Sequence, residues 1–380
     1  MTEAQQQILA DEYLAMDGAE LQRRIAARKR RLGERLCILG HHYQRDEVIQ
    51  FADFTGDSLK LSQLAAGRAQ ASYIVFCGVH FMAESADILS SDEQVVCLPN
   101  MQAGCAMADM ADAADVQAAM EELTAMTADR VIPVTYVNST AAIKALTARA
   151  GGACCTSSNA RNVFAWALRP QADGGAGGRK IFAIPDEHLG RNTAVAMGYS
   201  PEDCAVYDPD IAGGGLSAEA ARRATFILWK GYCYVHQLFK PEHVEKVRAK
   251  HAGIRVIVHP ECTREVVALA DASGSTEQII RAVEAGQPGS KWAIGTESNL
   301  VNRLAKQHPD MFIRVLSAAP SICVQMARID LPYLLWVLDN LASGNVVNRI
   351  SVPADVAADA RAGLKRMIEI KAAKDLTSSD

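Results

Sequence analysis

A chain of 380 residues, 49% hydrophobic and 22% charged, excludes disorder, collagen and a coiled coil, and at about 100–200 residues per domain it accommodates two or three domains. The formal net charge of −5, from 44 acidic against 39 basic residues, gives no electrostatic reason for a nucleic acid or an anionic membrane as partner, so any anionic substrate must be held by local groups. The opening stretch MTEAQQQILADEYLAM has neither the basic nor the apolar region of an export signal, and no apolar run approaches the roughly 18–20 residues that span a bilayer. A cytoplasmic location is therefore expected, where the ten cysteines stay mostly reduced.

In chain order, residues 5–32 read as one amphipathic, Arg-rich helix. Strands are then expected at 35–40 (RLCILG), 73–78 (YIVFCG), 94–99 (QVVCLP), 130–137 (RVIPVTYV), 152–155 (GACC), 180–185 (KIFAIP), 255–260 (RVIVHP), 292–296 (WAIGT) and 312–317 (FIRVLS). Short apolar strands alternating with Ala-rich helices predict an α/β protein with parallel sheets covered on both faces. The strands fall into three sets, which places domains at 1–112, 113–238 and 239–345, with a helical tail in 346–380 expected to pack back on the first. The Gly-rich stretches 172–180 and 208–217 read as surface loops.

Each set opens with a strand whose C-terminal end turns polar: His41-His42-Tyr43, Tyr136-Val137-Asn138 and His259-Pro260-Glu261. In open α/β sheets that end is where ligands bind. Each set also closes near a cysteine among polar or small residues, namely Cys105, Cys233 and Cys323. Cys37, Cys77 and Cys97 lie inside strands and read as core. Cys154 and Cys155 are adjacent, so their side chains point to opposite faces and make poor joint ligands; Cys204 and Cys262 could serve either way. No C-x-x-C spacing occurs, so neither a zinc ribbon nor a ferredoxin-type cluster is written locally. Three converging thiolates would hold either a cubane cluster with one iron left free or a zinc ion with one open position.

With no P-loop, G-x-G-x-x-G or basic cluster, anions would fall to the helix starts at TGDS (55–58), TSSN (156–159) and SGST (273–276), where free N–H groups favour negative charge. His80 and Glu84 also lie at a strand end and stay unassigned. His236 would support a metal's surroundings or cap a helix, Arg191 reads as a loop cation, and His188, His243, His251 and His308 read as surface or loop.

The ordered blocks LGHHYQRDEV, DFTGDSLKLS, CGVHFMAESADIL, LPNMQAGCAMAD, YVNST, CCTSSNA, PDEHLGRNTA, WKGYCYVH, VHPEC, DASGST and GTESNLVNRL resemble the quinolinate synthases of NAD biosynthesis over nearly the whole chain. The resemblance implies three similar αβα domains around a pseudo-threefold axis with the active site in a central funnel. It implies condensation of iminoaspartate with dihydroxyacetone phosphate to quinolinate, releasing phosphate and two waters. A 4Fe-4S cluster held by Cys105, Cys233 and Cys323 would leave one iron open as a Lewis acid in dehydration. It also implies His41 and Ser58 on the iminoaspartate-derived part, and Tyr43 moving protons. Tyr136, Asn138 and Ser157 would contact substrate, His259 and Glu261 would position the intermediate and supply an acid or base, and Thr276 would close an anion-binding turn. Some members of the family carry a C-x-x-C-x-x-C cluster at the third ligand, whereas this chain offers Cys323 alone. The expected partners are the two small substrates and, transiently, the enzyme that makes iminoaspartate. Two other classes compete: a zinc-dependent aldolase or lyase on the same thiols, and a non-catalytic iron–sulfur carrier, which has no need of His, Tyr and Glu beside an open iron.

Overall fold

The computed structural model describes residues 9–67, 70–370 and 377–378. Its strands are β1 (Leu36–His41), β2 (Phe54–Gly56), β3 (Tyr73–Cys77), β4 (Val95–Cys97), β5 (Val131–Tyr136), β6 (Ala153–Cys155), β7 (Lys180–Ile184), β8 (Cys204–Tyr207), β9 (Phe226–Trp229), β10 (Arg255–Val258), β11 (Ala272–Ser273), β12 (Lys291–Gly295), β13 (Phe312–Val315), β14 (Arg349–Ile350) and β15 (Thr377–Ser378). They form three sheets, ordered β14-β4-β3-β1-β2, β6-β5-β7-β9-β8 and β13-β12-β10-β11-β15. All pairings are parallel except those of the short edge strands β14 and β15. The protein is an α/β protein, as its alternation of apolar strands and helices requires.

The three sets of the sequence share more than rhythm. In each sheet the opening strand (β1, β5 or β10) lies between the second and third strands of its own set. The chain therefore leaves the opening strand in one direction and returns on its other side. That reversal opens a crevice at the carboxyl end of the opening strand. The opening strands are buried almost throughout, with only Arg255 exposed, which is why they read as continuous apolar runs.

The sheets are distributed over two compact units. One comprises the residues up to Cys105 with Ile322–Pro353 and carries the first sheet; the other comprises Ala106–Ser321 with the residues from Ala354 and carries the second and third. In the first unit the expected single N-terminal helix is two, Asp11–Ala15 and Gly18–Leu32. Met16 and Asp17 are extended, and the Asp17 carboxylate accepts from Glu20 N at 2.8 Å, starting the second helix afresh. Residues 5–8 of that expectation lie outside the described residues. Helix Leu331–Ala342 packs along Gly18–Leu32, and its Asp339 accepts from Tyr13 and Arg28.

In the second unit, Trp229 stacks on Tyr207 at 5.9 Å and meets Phe182 at a tilt at 6.1 Å, packing aromatic rings against the second sheet. The tail divides. β14 returns to the first sheet beside β4, but helix Ala354–Glu369 packs on helix Ala141–Arg149 and β6 of the second sheet. The expectation that the helical tail packs on the first domain is thus corrected. Gly363 lets the two helices approach, since a Cβ there would meet Ala148 Cβ at 3.4 Å and Cys154 Sγ at 3.3 Å. No helix among the described residues is long and apolar enough to cross a membrane.

Candidate active site

In the second unit, sheet hydrogen bonding runs one residue past each opening strand: Val137 N donates to Cys155 O at 2.8 Å, and His259 N to Gly295 O at 3.0 Å. The turns that follow therefore start from fixed points. His259 and Glu261 leave β10 with their side chains almost fully buried, 3% and 2% exposed. His259 Nε2 lies 3.2 Å from Ser157 Oγ, and its Nδ1 is 3.8 Å from Glu261 Oε2. The same carboxylate oxygen lies 3.1 Å from His236 Nε2, and the Glu261 carboxylate also accepts from Tyr136. The rings of His236 and His259 stack at 4.4 Å, 11° from parallel. Ser157, His259, Glu261, His236 and Tyr136 thus form one connected polar group.

Its electrostatics divide the roles. Burial alone would raise the Glu261 carboxyl, but His259 and His236, together with hydrogen bonds from His236 and Tyr136, hold it below the usual carboxylate range. Burial pushes His259 down to about 3, against the opposing charge of Glu261. Near neutrality the pair is an ionised carboxylate beside a neutral imidazole, whose Nδ1 accepts from Glu261 N at 3.4 Å and whose Nε2 faces Ser157 Oγ. Asp186, also buried, is driven the other way, first by burial and then by the charge of Glu261. Its Oδ1 accepts from Leu189 N at 2.7 Å at the head of helix Glu187–Ala196. Two carboxyls pushed in opposite directions by their surroundings are a recurring arrangement at acid–base sites.

Of the other predicted residues here, Asn138 is half-buried, and its Oδ1, without a hydrogen bond among the described residues, is sealed from solvent. Ser157 sits in a turn shaped by Asn159, whose Oδ1 accepts from Thr156 N at 2.8 Å. Thr276 is buried as the first residue of helix Thr276–Glu284; the cap itself is Ser275, which accepts from Gln278 N.

In the first unit, His41 ends β1 and is buried; its Nδ1 accepts from Tyr43 N at 3.1 Å, and the two rings meet edge-on at 4.7 Å. Ser58 opens helix Ser58–Ala66, while the cap is Asp57, accepting from Lys60 N at 3.0 Å. Two predicted ligands lie in this unit. The turn leading to Cys105 and the turn following Cys323 are tied by Asn100 Nδ2 to Arg328 O at 3.1 Å and by Arg328 to Gln102 Oε1 at 3.1 Å. Gln44 and Arg45, just beyond His41, donate to the carbonyls of Met326, Ala327 and Ile329. His80, at the head of helix His80–Leu89, bonds through its backbone to Ala103 O, and its ring lies 3.8 Å from Glu84.

Cys233, the third predicted ligand, precedes the short helix Tyr234–Gln237 in the second unit. The predicted ligands Cys105, Cys233 and Cys323 are half-exposed, as is Cys204; Cys37, Cys77, Cys97, Cys154, Cys155 and Cys262 are buried. Burial pushes the thiols of Cys77, Cys97 and Cys154 up to about 12, and those of Cys155 and Cys262 also upward. Those thiols stay protonated and unsuited to ligation. The half-exposed thiols, Cys105 and Cys323 in the first unit and Cys233 and Cys204 in the second, escape that full burial. Cys233, His236 and Glu261 each offer a donor atom within 4.8 Å of the others, a group that could hold a metal ion.

Three residues gain weight over their sequence reading. His236 is 1% exposed and in the centre of the polar group; its position three residues past Cys233 was the available signal. Asp186 had only the PDEHLG block to mark it. His188 is not a loop residue but lies in the first turn of helix Glu187–Ala196, 15% exposed in its side chain.

Residues 23–369 match the sequence model of the family described as "Quinolinate synthetase A protein". The chain is 53% identical over 365 residues to the quinolinate synthase of Acidobacterium capsulatum, covering 95% of this chain and 96% of that one. It is 54% identical over 358 residues to the quinolinate synthase of a Nocardioides species, covering 94% and 90%. Against that of Geobacillus kaustophilus it is 51% identical over 360 residues, covering 94% and 95%.

Proposed function

The chain belongs to the quinolinate synthetase A protein family, and from that premise we propose that it is a quinolinate synthase, condensing iminoaspartate with dihydroxyacetone phosphate and releasing phosphate and two waters. The observation that carries the proposal is the buried group Ser157–His259–Glu261–His236 with Tyr136, set at the carboxyl ends of two opening strands. The reaction needs protons taken from carbon and given to departing hydroxyls. His259 and Glu261, 3.8 Å apart, would serve both tasks as a pair, passing protons between substrate and carboxylate. Ser157 Oγ, 3.2 Å from His259 Nε2, can orient the imidazole and donate to a substrate oxygen. Tyr136 and Asn138 would contact the substrate from β5, and Thr276 would offer its hydroxyl and helix-start N–H to a carboxylate or phosphate. In the first unit His41 and Ser58 would take the iminoaspartate-derived part, and Tyr43, fixed against His41 at 4.7 Å, would carry protons.

Cys105, Cys233 and Cys323 would hold a 4Fe-4S cluster. When bound, such a cluster supplies a Lewis-acid iron that stabilises negative charge developing on a departing oxygen. A cytoplasmic, reducing setting agrees with ten cysteines none of which is paired in a disulfide. The iminoaspartate-producing enzyme is the partner the unstable substrate calls for. The convergence of Cys233, His236 and Glu261 within 4.8 Å favours one other reading, a lyase with a single zinc ion in an S, N, O site.

The test is product stoichiometry. Anaerobically purified protein given both substrates should release one phosphate for each quinolinate formed, and Ser157→Ala should lower the rate of both together. Phosphate release without quinolinate would contradict the substrate assignment.

A further inference from the structure

The turn that presents Glu261 has an unusual support. Three consecutive backbone carbonyls, those of Pro260, Glu261 and Cys262, each accept from a side-chain amide. Asn192 Nδ2 donates to Pro260 O and to Cys262 O, both at 2.8 Å, and Gln237 Nε2 donates to Glu261 O at 3.3 Å. Neither donor belongs to the third sheet. Asn192 is buried on helix Glu187–Ala196, the helix that Asp186 caps. Gln237 ends the short helix that follows Cys233 and contains His236.

We infer that Asn192 and Gln237 are positioning residues that hold the Glu261 turn at a fixed height against His236 and Cys233, so that the acid–base pair and the thiol keep one geometry. The inference rests on the acid–base role proposed for Glu261. The orientation of the Asn192 amide is dictated: both acceptors are carbonyls, so the NH2 faces them, and its Oδ1 is buried without a hydrogen bond. Leaving that oxygen unmatched is tolerated because both amide hydrogens are used on one turn. Carbonyls released from such bonds in a dry site would seek other donors and drag the Glu261 side chain with them. A displacement of the order of 1 Å in a reacting group can cost about 100-fold in rate.

The test compares Asn192→Ala, Asn192→Asp and Gln237→Glu in the cluster-loaded enzyme. The Asp and Glu variants are near-isosteric but replace donors by acceptors facing carbonyls, so a space-filling role predicts that they keep activity and a positioning role predicts that they lose it. We expect kcat to fall by about 10- to 100-fold in each, with KM for either substrate changed by less than about threefold, and amide hydrogen exchange in 258–263 to accelerate. We also expect Asn192→Ala combined with Gln237→Glu to cost less than the product of the single effects, because both hold one turn. Full activity in Asn192→Asp, or unchanged exchange in 258–263 alongside a lowered Tm, would overturn the inference. If the native enzyme makes no quinolinate, the functional reading fails while the exchange data still decide the clamp.

Discussion

Glu261 is 2% exposed yet kept ionised, which a buried carboxylate manages only with donors around it. His236 and Tyr136 supply them. Glu261→Gln keeps the shape and removes the charge; it should lower kcat by about 100- to 10,000-fold, the usual range for a lost general acid or base. A kcat within about fivefold of the native value, with an unchanged circular dichroism spectrum, would remove Glu261 from the acid–base role. His188 makes a separate prediction about stability. Burial first, then Arg191, pushes it from 6.5 down to about 4. Between those values the unfolded chain binds a proton that the folded chain refuses, so stability present above pH 6.5 is lost as the pH falls toward 4. In urea unfolding, His188→Asn should therefore lose less stability than the native protein across that window. The difference should be roughly 1–2 kcal/mol, allowing for partial exposure, and parallel profiles would contradict it.

At the scale of elements, the site is built from turns held from behind. Asn159 shapes the Ser157 turn and donates to Met367 O at 2.8 Å and Ile370 O at 3.1 Å, at the end of helix Ala354–Glu369. Lys144, fully buried, donates to Ser139 O in the turn after Tyr136. Asn159→Ala should destabilise by about 1–3 kcal/mol, since it strands buried partners. It should also loosen the final helix, seen as faster amide exchange in 354–369; a native exchange pattern there would contradict the coupling.

The nine strands read from sequence are all present because each is an apolar run interrupted by turn residues. Of those not foreseen, β9 is a fully buried run of four apolar residues and has the same signature, while others lack it. β2 and β11 span three and two residues, too few for any period to register. β8 is half-buried along most of its length and reads as loop. The break at Met16–Asp17 was hidden because helix periodicity continues across it, while the decision belongs to one carboxylate cap. The polar strand ends were legible because a His-Pro-Glu or Tyr-Val-Asn step after an apolar run breaks the pattern that burial imposes. The amides of Asn159, Asn192 and Gln237 were not, since a side-chain amide gives no sign in the sequence of which distant carbonyl it meets.

At the scale of the whole molecule, one topology, an opening strand between the second and third of its set, recurs in three sheets. It puts a crevice at each polar motif. The division into two units with two sheets in one has no composition signature, since all three sets have the same rhythm. Two of the proposed ligands, Cys105 and Cys323, belong to one unit and Cys233 to the other, so no local spacing could have revealed a shared role. The most direct test of the account is to quantify iron, acid-labile sulfide and zinc in anaerobically purified protein and its Cys105→Ser, Cys233→Ser and Cys323→Ser variants, and to follow quinolinate formation in the same preparations. The account predicts about four irons and four sulfides per chain with quinolinate produced by the native protein, and loss of both in each variant. One zinc per chain, or full activity in a metal-free preparation, would contradict it.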